Sequence, residues 1–149
     1  MAGKTDVFEL DILKLIFNGT AIANIADNAA TSPLTNLYIS LHTADPTDAA
    51  ASGQNTNETT YTGYARVAIA RTTGGWTCST TGGVTTVVPV ANISFGTCTA
   101  GTATITHVGI GTSASGAGKL LFSGSLSPAI AVAVGVAPQL TTASTITED

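Results

Sequence analysis

The chain has 149 residues and a formal net charge of −4, from five basic and nine acidic side chains. Only 9% of residues are charged, against about 25% in ordinary soluble domains, so Thr, Ser and Asn must supply solubility. The cations Lys4, Lys14, Arg66, Arg71 and Lys119 are scattered, not clustered as phosphate binding requires, which argues against a nucleic-acid partner.

A chain of this length suits one domain over residues 1–149 and buries roughly 70% of its unfolded surface, enough for a core without disulfides or metal. No stretch approaches the roughly 18 apolar residues of a membrane span. Acidic residues before and within the first apolar run do not suit a signal peptide, so cytoplasmic synthesis and reduced thiols are expected. Cys78 and Cys98 fit no zinc spacing and read as ordinary strand residues, with a Cys78–Cys98 bridge formed after lysis the alternative.

The first predicted element is a helix over residues 5–18. Asp6 and Glu9 stand three apart as in a capping box, with Thr5 a competing N-cap. Phe8, Ile12, Leu15 and Ile16 recur at helical spacing, with Leu13 and Phe17 on the neighbouring edge. Asn18-Gly19 closes it, because both residues tolerate the left-handed C-cap conformation. So wide an apolar face needs cover, from this chain's own sheet or from a neighbouring subunit. The Ala- and Asn-rich stretch 20–32 has room for a second short helix.

The period then changes to two. Leu37, Ile39 and Leu41 alternate with Tyr38, Ser40 and His42, the pattern of a half-buried strand. An irregular segment from Thr43 to Gly63 follows, without hydrophobic periodicity; such long loops tend to be functional or mobile. Further strands are expected over 64–71, 75–79, 84–90, 92–95, 102–110, 119–123, 130–136 and 144–147. Gly74-Gly75 and Gly82-Gly83 flank the Trp76 strand like two hairpin turns. Pro89 points to an edge or a bend, and the apolar phase shift within 102–110 to a β-bulge at Gly109. Ile130, Val132, Val134 and Val136 alternate with Ala131, Ala133 and Gly135, giving one bulky and one thin face. Short strands with Gly, Pro and Ser punctuation predict a mainly β fold, an antiparallel β-sandwich of jelly-roll type over 34–149 with one N-terminal α-helix.

Little of the chain reads as chemistry. The run Ser113 to Lys119 has Ser113 where a phosphate loop needs Gly and Leu120 where it needs Ser or Thr, so it reads as a hairpin loop. His42 and His107, the two histidines, lack a nucleophile elbow and read as strand residues bonded to a Thr or a backbone carbonyl. Asp45, Asp48 and Glu58 lack the spacing of a calcium loop. Tyr61, Tyr64 and Trp76 are the aromatics that could stack on a sugar, with core packing the alternative and the favoured one for Trp76. The expectation is no enzyme, no metal and no cofactor.

Leu37 to Pro46, Tyr61 to Arg66, Thr106 to Gly111 and Leu120 to Gly124 together resemble a family of small structural proteins of tailed bacteriophages, tail-fibre-like and in part related to jelly-roll capsid cement proteins. The resemblance runs from about Val7 to Asp149. It implies a non-enzymatic virion component, made in the host cytoplasm, whose partners are other virion proteins and further copies of itself. Ala44-Asp45-Pro46 would open a variable loop and Tyr64-Ala65-Arg66 return the chain to the sheet, with Arg66 anchored by pairing with Asp45. A compact domain without a repetitive shaft favours a head cement protein bound to the major capsid protein, with a tail fibre or tail-tip component as alternative and a carbohydrate-binding module as second alternative. The residues singled out for contacts are Phe8, Ile12, Leu15 and Ile16 on the helix, and Asp45, Tyr61, Tyr64 and Arg66 in and after the loop.

Overall fold

Strands are the commonest regular structure among the described residues, as the Thr-rich, β-branched composition favours. The computed structural model describes residues 6–22, 33–47 and 53–148, apart from the side chains of 6–8 and 148. In chain order it forms α1 (Asp6–Leu13), a π-helical turn (Lys14–Asn18), β1 (Asn36–His42), β2 (Val67–Ala70), β3 (Trp76–Thr81), β4 (Val84–Pro89), β5 (Ile93–Ser94), β6 (Ala103–Gly111), β7 (Leu120–Val132), β8 (Gln139–Leu140) and β9 (Ile146–Glu148). The strands build sheets of order β2-β1-β6-β7, β3-β4-β9 and β5-β8, and the β1–β6, β6–β7, β3–β4 and β4–β9 pairs are antiparallel. The fold is therefore mainly β with one N-terminal helix, as expected. Two compact units are present: Met1–Thr35, Ala70–Ile93 and Leu140–Asp149 make one, Asn36–Ile69 and Ser94–Gln139 the other.

In the first unit, α1 and its π turn lie on β3 and β4, so the helix is covered by this chain's own sheet. The buried stripe is Glu9, Leu13 and Phe17, each 3% exposed or less and four apart. Ile12, Leu15 and Ile16, expected at the centre of the apolar face, are only half-buried. The side chain of Phe8, the Thr5/Asp6 cap and the possible helix beyond Ile22 lie outside the described residues. Phe17 meets Trp76 edge to face at 4.9 Å. Glu9 turns to the sheet, where its Oε2 accepts the Thr85 hydroxyl at 3.3 Å.

The helix end is more elaborate than its Asn-Gly signal. The ladder widens to the π form at Lys14, and Gly19, in the left-handed region at φ 65°, donates its N–H to the Lys14 carbonyl. Arg71 donates to the carbonyls of Ile16 at 2.6 Å, Leu15 at 2.8 Å and Leu34 at 2.7 Å. A cation on the orphan carbonyls of a helix C-terminus satisfies them and complements the helix dipole.

β3 and β4 form a tight hairpin, Thr81 pairing with Val84 across Gly82-Gly83. Both glycines have positive φ, 61° and 82°, as a type I′ turn demands. β4 is the central strand of its sheet, so of the two readings of Pro89 the edge fails and the bend holds, at Val90 and Ala91. Proline fits because it is the last residue of β4, and the β9 register reaches only Thr85 to Val87.

In the second unit, β1 is buried on both faces: Leu37, Ile39 and Leu41 on one, Ser40 and His42 on the other, all 1% exposed or less. The alternation predicted burial of one face only; the polar face is covered by the segment that follows β1, described below. The stretches 119–123 and 130–136, expected as two strands, belong to the single strand β7, which ends at Val132. Val134 is 67% exposed and lies in a turn that Val136 closes on the Ala133 carbonyl at 2.9 Å, with Gly135 at φ 90°. Gly at the third position is what a type II turn needs, so the turn overrides the alternation. The register breaks in β6–β7 fall between Ile105 and His107 and between Ile110 and Gly111. Gly109, the expected bulge, stays in register with Ser123 and Ser40.

Candidate functional site

The polar face of β1 is covered by the segment that follows it. Thr43 N–H donates to the Asn57 carbonyl and Thr59 N–H to the Leu41 carbonyl, both at 2.9 Å, setting Glu58 opposite His42 as an antiparallel bridge. Asn57 takes the left-handed conformation, φ 54°, which Asn tolerates better than most residues. Gln54, fully buried, donates from Nε2 to the Tyr38 carbonyl at 2.7 Å and accepts Ser113 N–H at 3.3 Å. Its own N–H bonds the Gly118 carbonyl at 2.7 Å. The described part of the expected irregular loop therefore has structure of its own from Gly53 onward. Its signal lay in single polar side chains, not in periodicity.

Arg66 ties this segment together. Its Nε and Nη2 grip Glu58 as a fork, each N–O distance 2.7 Å. Nη1 and Nη2 also donate to the carbonyls of Ser113 at 2.8 Å and Gly116 at 2.7 Å in the β6–β7 loop. The Arg66 side chain is 2% exposed and that of Glu58 14%, so both are largely removed from water. Tyr64 donates to Glu58 Oε1 at 2.6 Å and accepts Leu41 N–H at 3.1 Å. The Glu58 hydrogen bonds hold the Arg66 guanidinium above its usual pKa against the opposing effect of burial. Burial, with the Glu58 bond second, pushes the Tyr64 phenol well up. Arg66 thus stays charged and the Tyr64 phenol protonated near neutral pH.

His42, fully buried, has Nδ1 2.8 Å from the Thr56 carbonyl and Nε2 2.9 Å from Ser40 Oγ. Burial lowers its pKa, partly offset by the Thr56 carbonyl and by Glu58. His107 Nδ1 lies 2.9 Å from Thr106 Oγ1. Both histidines have the carbonyl or threonine partners expected of strand residues.

Arg66 therefore pairs with Glu58, not with Asp45. Asp45 serves its own loop: Oδ1 accepts Thr47 N–H at 2.8 Å and its carbonyl accepts Asn57 Nδ2 at 2.7 Å. A carboxylate bonded two residues along its own backbone makes an Asx turn, a short-range use that competes with a distant arginine. Asp48 lies outside the described residues, and among those described no group of His, Cys, Asp and Glu is placed to hold a metal ion. Tyr61 is 5% exposed, with its hydroxyl on the Gly96 carbonyl at 2.9 Å. It meets Tyr64 edge to face at 5.5 Å, and Tyr64 stacks on Phe95 at 6.3 Å. The tyrosines thus pack on one another, and Trp76, 2% exposed, is a core residue. Cys78 and Cys98 are free thiols, Cys98 lying in a loop rather than a strand. Ile12, Leu15 and Ile16 sit on the helix of the first unit, while Asp45, Tyr61, Tyr64 and Arg66 belong to the second.

An open groove of about 440 Å³ runs beside the brace, with Asn55, Glu58, Tyr64, Arg66 and Ser115 in its walls. Its charged members are already bonded to one another, which leaves a surface of hydroxyls, amides and small side chains. Among the described residues no helix is long and apolar enough to cross a membrane.

No curated protein matches this chain. The model of one family, Gp80, described as podophage GP4 fiber I protein gp80, matches residues 3–147. With nearly its whole length inside that match, the chain belongs to the Gp80 family of podophage fibre proteins and is a structural component of the phage particle, with other virion proteins as its partners.

Proposed function

We propose that the chain is a non-catalytic building block of the tail-fibre apparatus, present in more than one copy and held by contacts with other fibre or tail proteins. The observation that carries this reading is the family match over residues 3–147, whose description names a fibre protein. The geometry is consistent with it. The polar side chains in the interior of the second unit, Glu58, Arg66, Tyr64, Gln54, Ser40 and His42, bond one another and the backbone. A catalytic centre needs a nucleophile or an acid–base pair free to meet a substrate; these groups serve rigidity instead. Low surface charge suits burial against neighbours, since few ions need desolvating.

The head-cement reading rests on compactness and low charge, which a small fibre module shares. The family description favours the tail. Gold-labelled antibodies against this chain, viewed on intact particles by electron microscopy, test the assignment. A few copies at the tail are expected. Hundreds of copies spread over the head would overturn it in favour of cement bound to the major capsid protein.

A further inference from the structure

The buried face of β1 holds a device that the structural role does not require. His42 Nδ1 faces the Thr56 carbonyl at 2.8 Å; a carbonyl only accepts, so Nδ1 carries hydrogen in both the neutral and the charged ring. Nε2 faces Ser40 Oγ at 2.9 Å, and that same oxygen lies 3.3 Å from the Gly109 carbonyl. A serine hydroxyl has one hydrogen and two acceptor sites, so it cannot donate to Nε2 and to Gly109 together. From this conflict we infer that Ser40 is a two-position relay, which lets His42 gain a proton at a site closed to water while every polar group stays bonded.

With the ring neutral, Ser40 donates to Nε2. When a proton from solvent binds Nε2, the new N–H donates to Ser40 Oγ and the serine hydrogen turns to the Gly109 carbonyl. The two bonded states differ by one hydroxyl torsion. The packing is shaped around the pair: a Cβ on Gly109 would lie 2.6 Å from His42 Nε2 and 2.8 Å from Ser40 Oγ. The charged and titratable groups facing His42 are Glu58 across the bridge, Arg66 behind Glu58, and His107, its register partner on β6. Glu58 supplies the opposing charge for the protonated ring, while Arg66 and His107 oppose protonation. The relay stands apart from the question of head or tail, since it depends on one face of one strand.

The test is a pH titration of the imidazole nitrogens of the whole chain by NMR, with far-UV circular dichroism to follow folding. The neutral ring should be the Nδ1–H tautomer, and Nε2 should take up its proton while the fold is intact. In Ser40→Ala the protonated Nε2 loses a charge-assisted bond, while the neutral ring loses only a weaker one. Its midpoint should therefore fall by about one pH unit, a roughly tenfold change in proton affinity. An Nε2–H tautomer, protonation only as the chain unfolds, or the same midpoint in Ser40→Ala would each overturn the relay. If Ser40→Ala does not fold, the tautomer and titration of the unaltered chain decide.

Discussion

Replacing Arg66 with alanine tests whether the brace holds the second unit together. The side chain is 2% exposed and donates to both Glu58 oxygens and to the carbonyls of Ser113 and Gly116. Removing one member of a buried ion pair costs about 3–5 kcal/mol, largely because the other charge stays behind unpaired. Glu58 is 14% exposed and keeps the Tyr64 hydroxyl, so water and Tyr64 recover part of the loss. The expected cost is therefore near the low end, about 3 kcal/mol, or a fall of roughly 10 °C in melting temperature for a chain of this size. Urea unfolding followed by far-UV circular dichroism measures it. Arg66→Lys keeps the charge without the fork and should lose about half as much. In a double variant Glu58→Met/Arg66→Met the two losses should fall short of additivity by at least about 1.5 kcal/mol, because no unpaired charge remains. A loss below about 1 kcal/mol in Arg66→Ala would mean that the guanidinium is solvated and braces nothing.

Three further outcomes are expected. His42 has its folded-state pKa below the unfolded value of about 6.5, so the unfolded chain binds more protons between the two values. Its share of stability is therefore whole above about pH 6.5 and declines as pH falls toward the folded midpoint; urea midpoints at a series of pH values should show this slope, and His42→Gln should flatten it. Gly109→Ala places a methyl against His42 and Ser40 and should cost about 2 kcal/mol by overpacking in thermal melts. Phe17→Ala empties a fully buried site beside Trp76 and should cost about 4 kcal/mol, read from the tryptophan emission during urea unfolding.

What the sequence made legible follows from range. The two-glycine hairpin, the Asn-Gly helix end and the loop before Lys119 depend on residues next to one another, and local turn chemistry decides them. The start of β7 was readable, but its continuity through Ser123 to Ala129 was not, since Gly124 and Pro128 look like punctuation until β6 is seen pairing on either side. The helix was found, but of its buried stripe Leu13 and Phe17 were placed only on the edge of the apolar face and Glu9 was missed. Hydrophobicity favours Ile12 and Ile16, whereas packing against Trp76 and Thr85 selects Phe17, Leu13 and even Glu9. The brace was half visible: Arg66 was expected to pair with a carboxylate, but with Asp45 and not with Glu58. Only the bridge between His42 and Glu58, set by backbone bonds to Asn57 and Leu41, brings the right one into reach. Arg71 as the cap of a helix some fifty-five positions earlier has no local signature at all.

The first unit is stitched from three separated pieces of chain, and its sheet is finished by β9, which joins β4 through pairs such as Val87 with Ile146. A two-stranded hairpin is marginal by itself in water. Packing on α1 supports it, but the sheet is completed only when Ile146–Glu148 is made, after Asn36–Ile69 and Ser94–Gln139. The helix is made before the strands that cover it, so the Leu13 and Phe17 side chains of a nascent chain stay exposed until Trp76–Pro89 has followed. A chaperone or a neighbouring nascent copy would find its opening there.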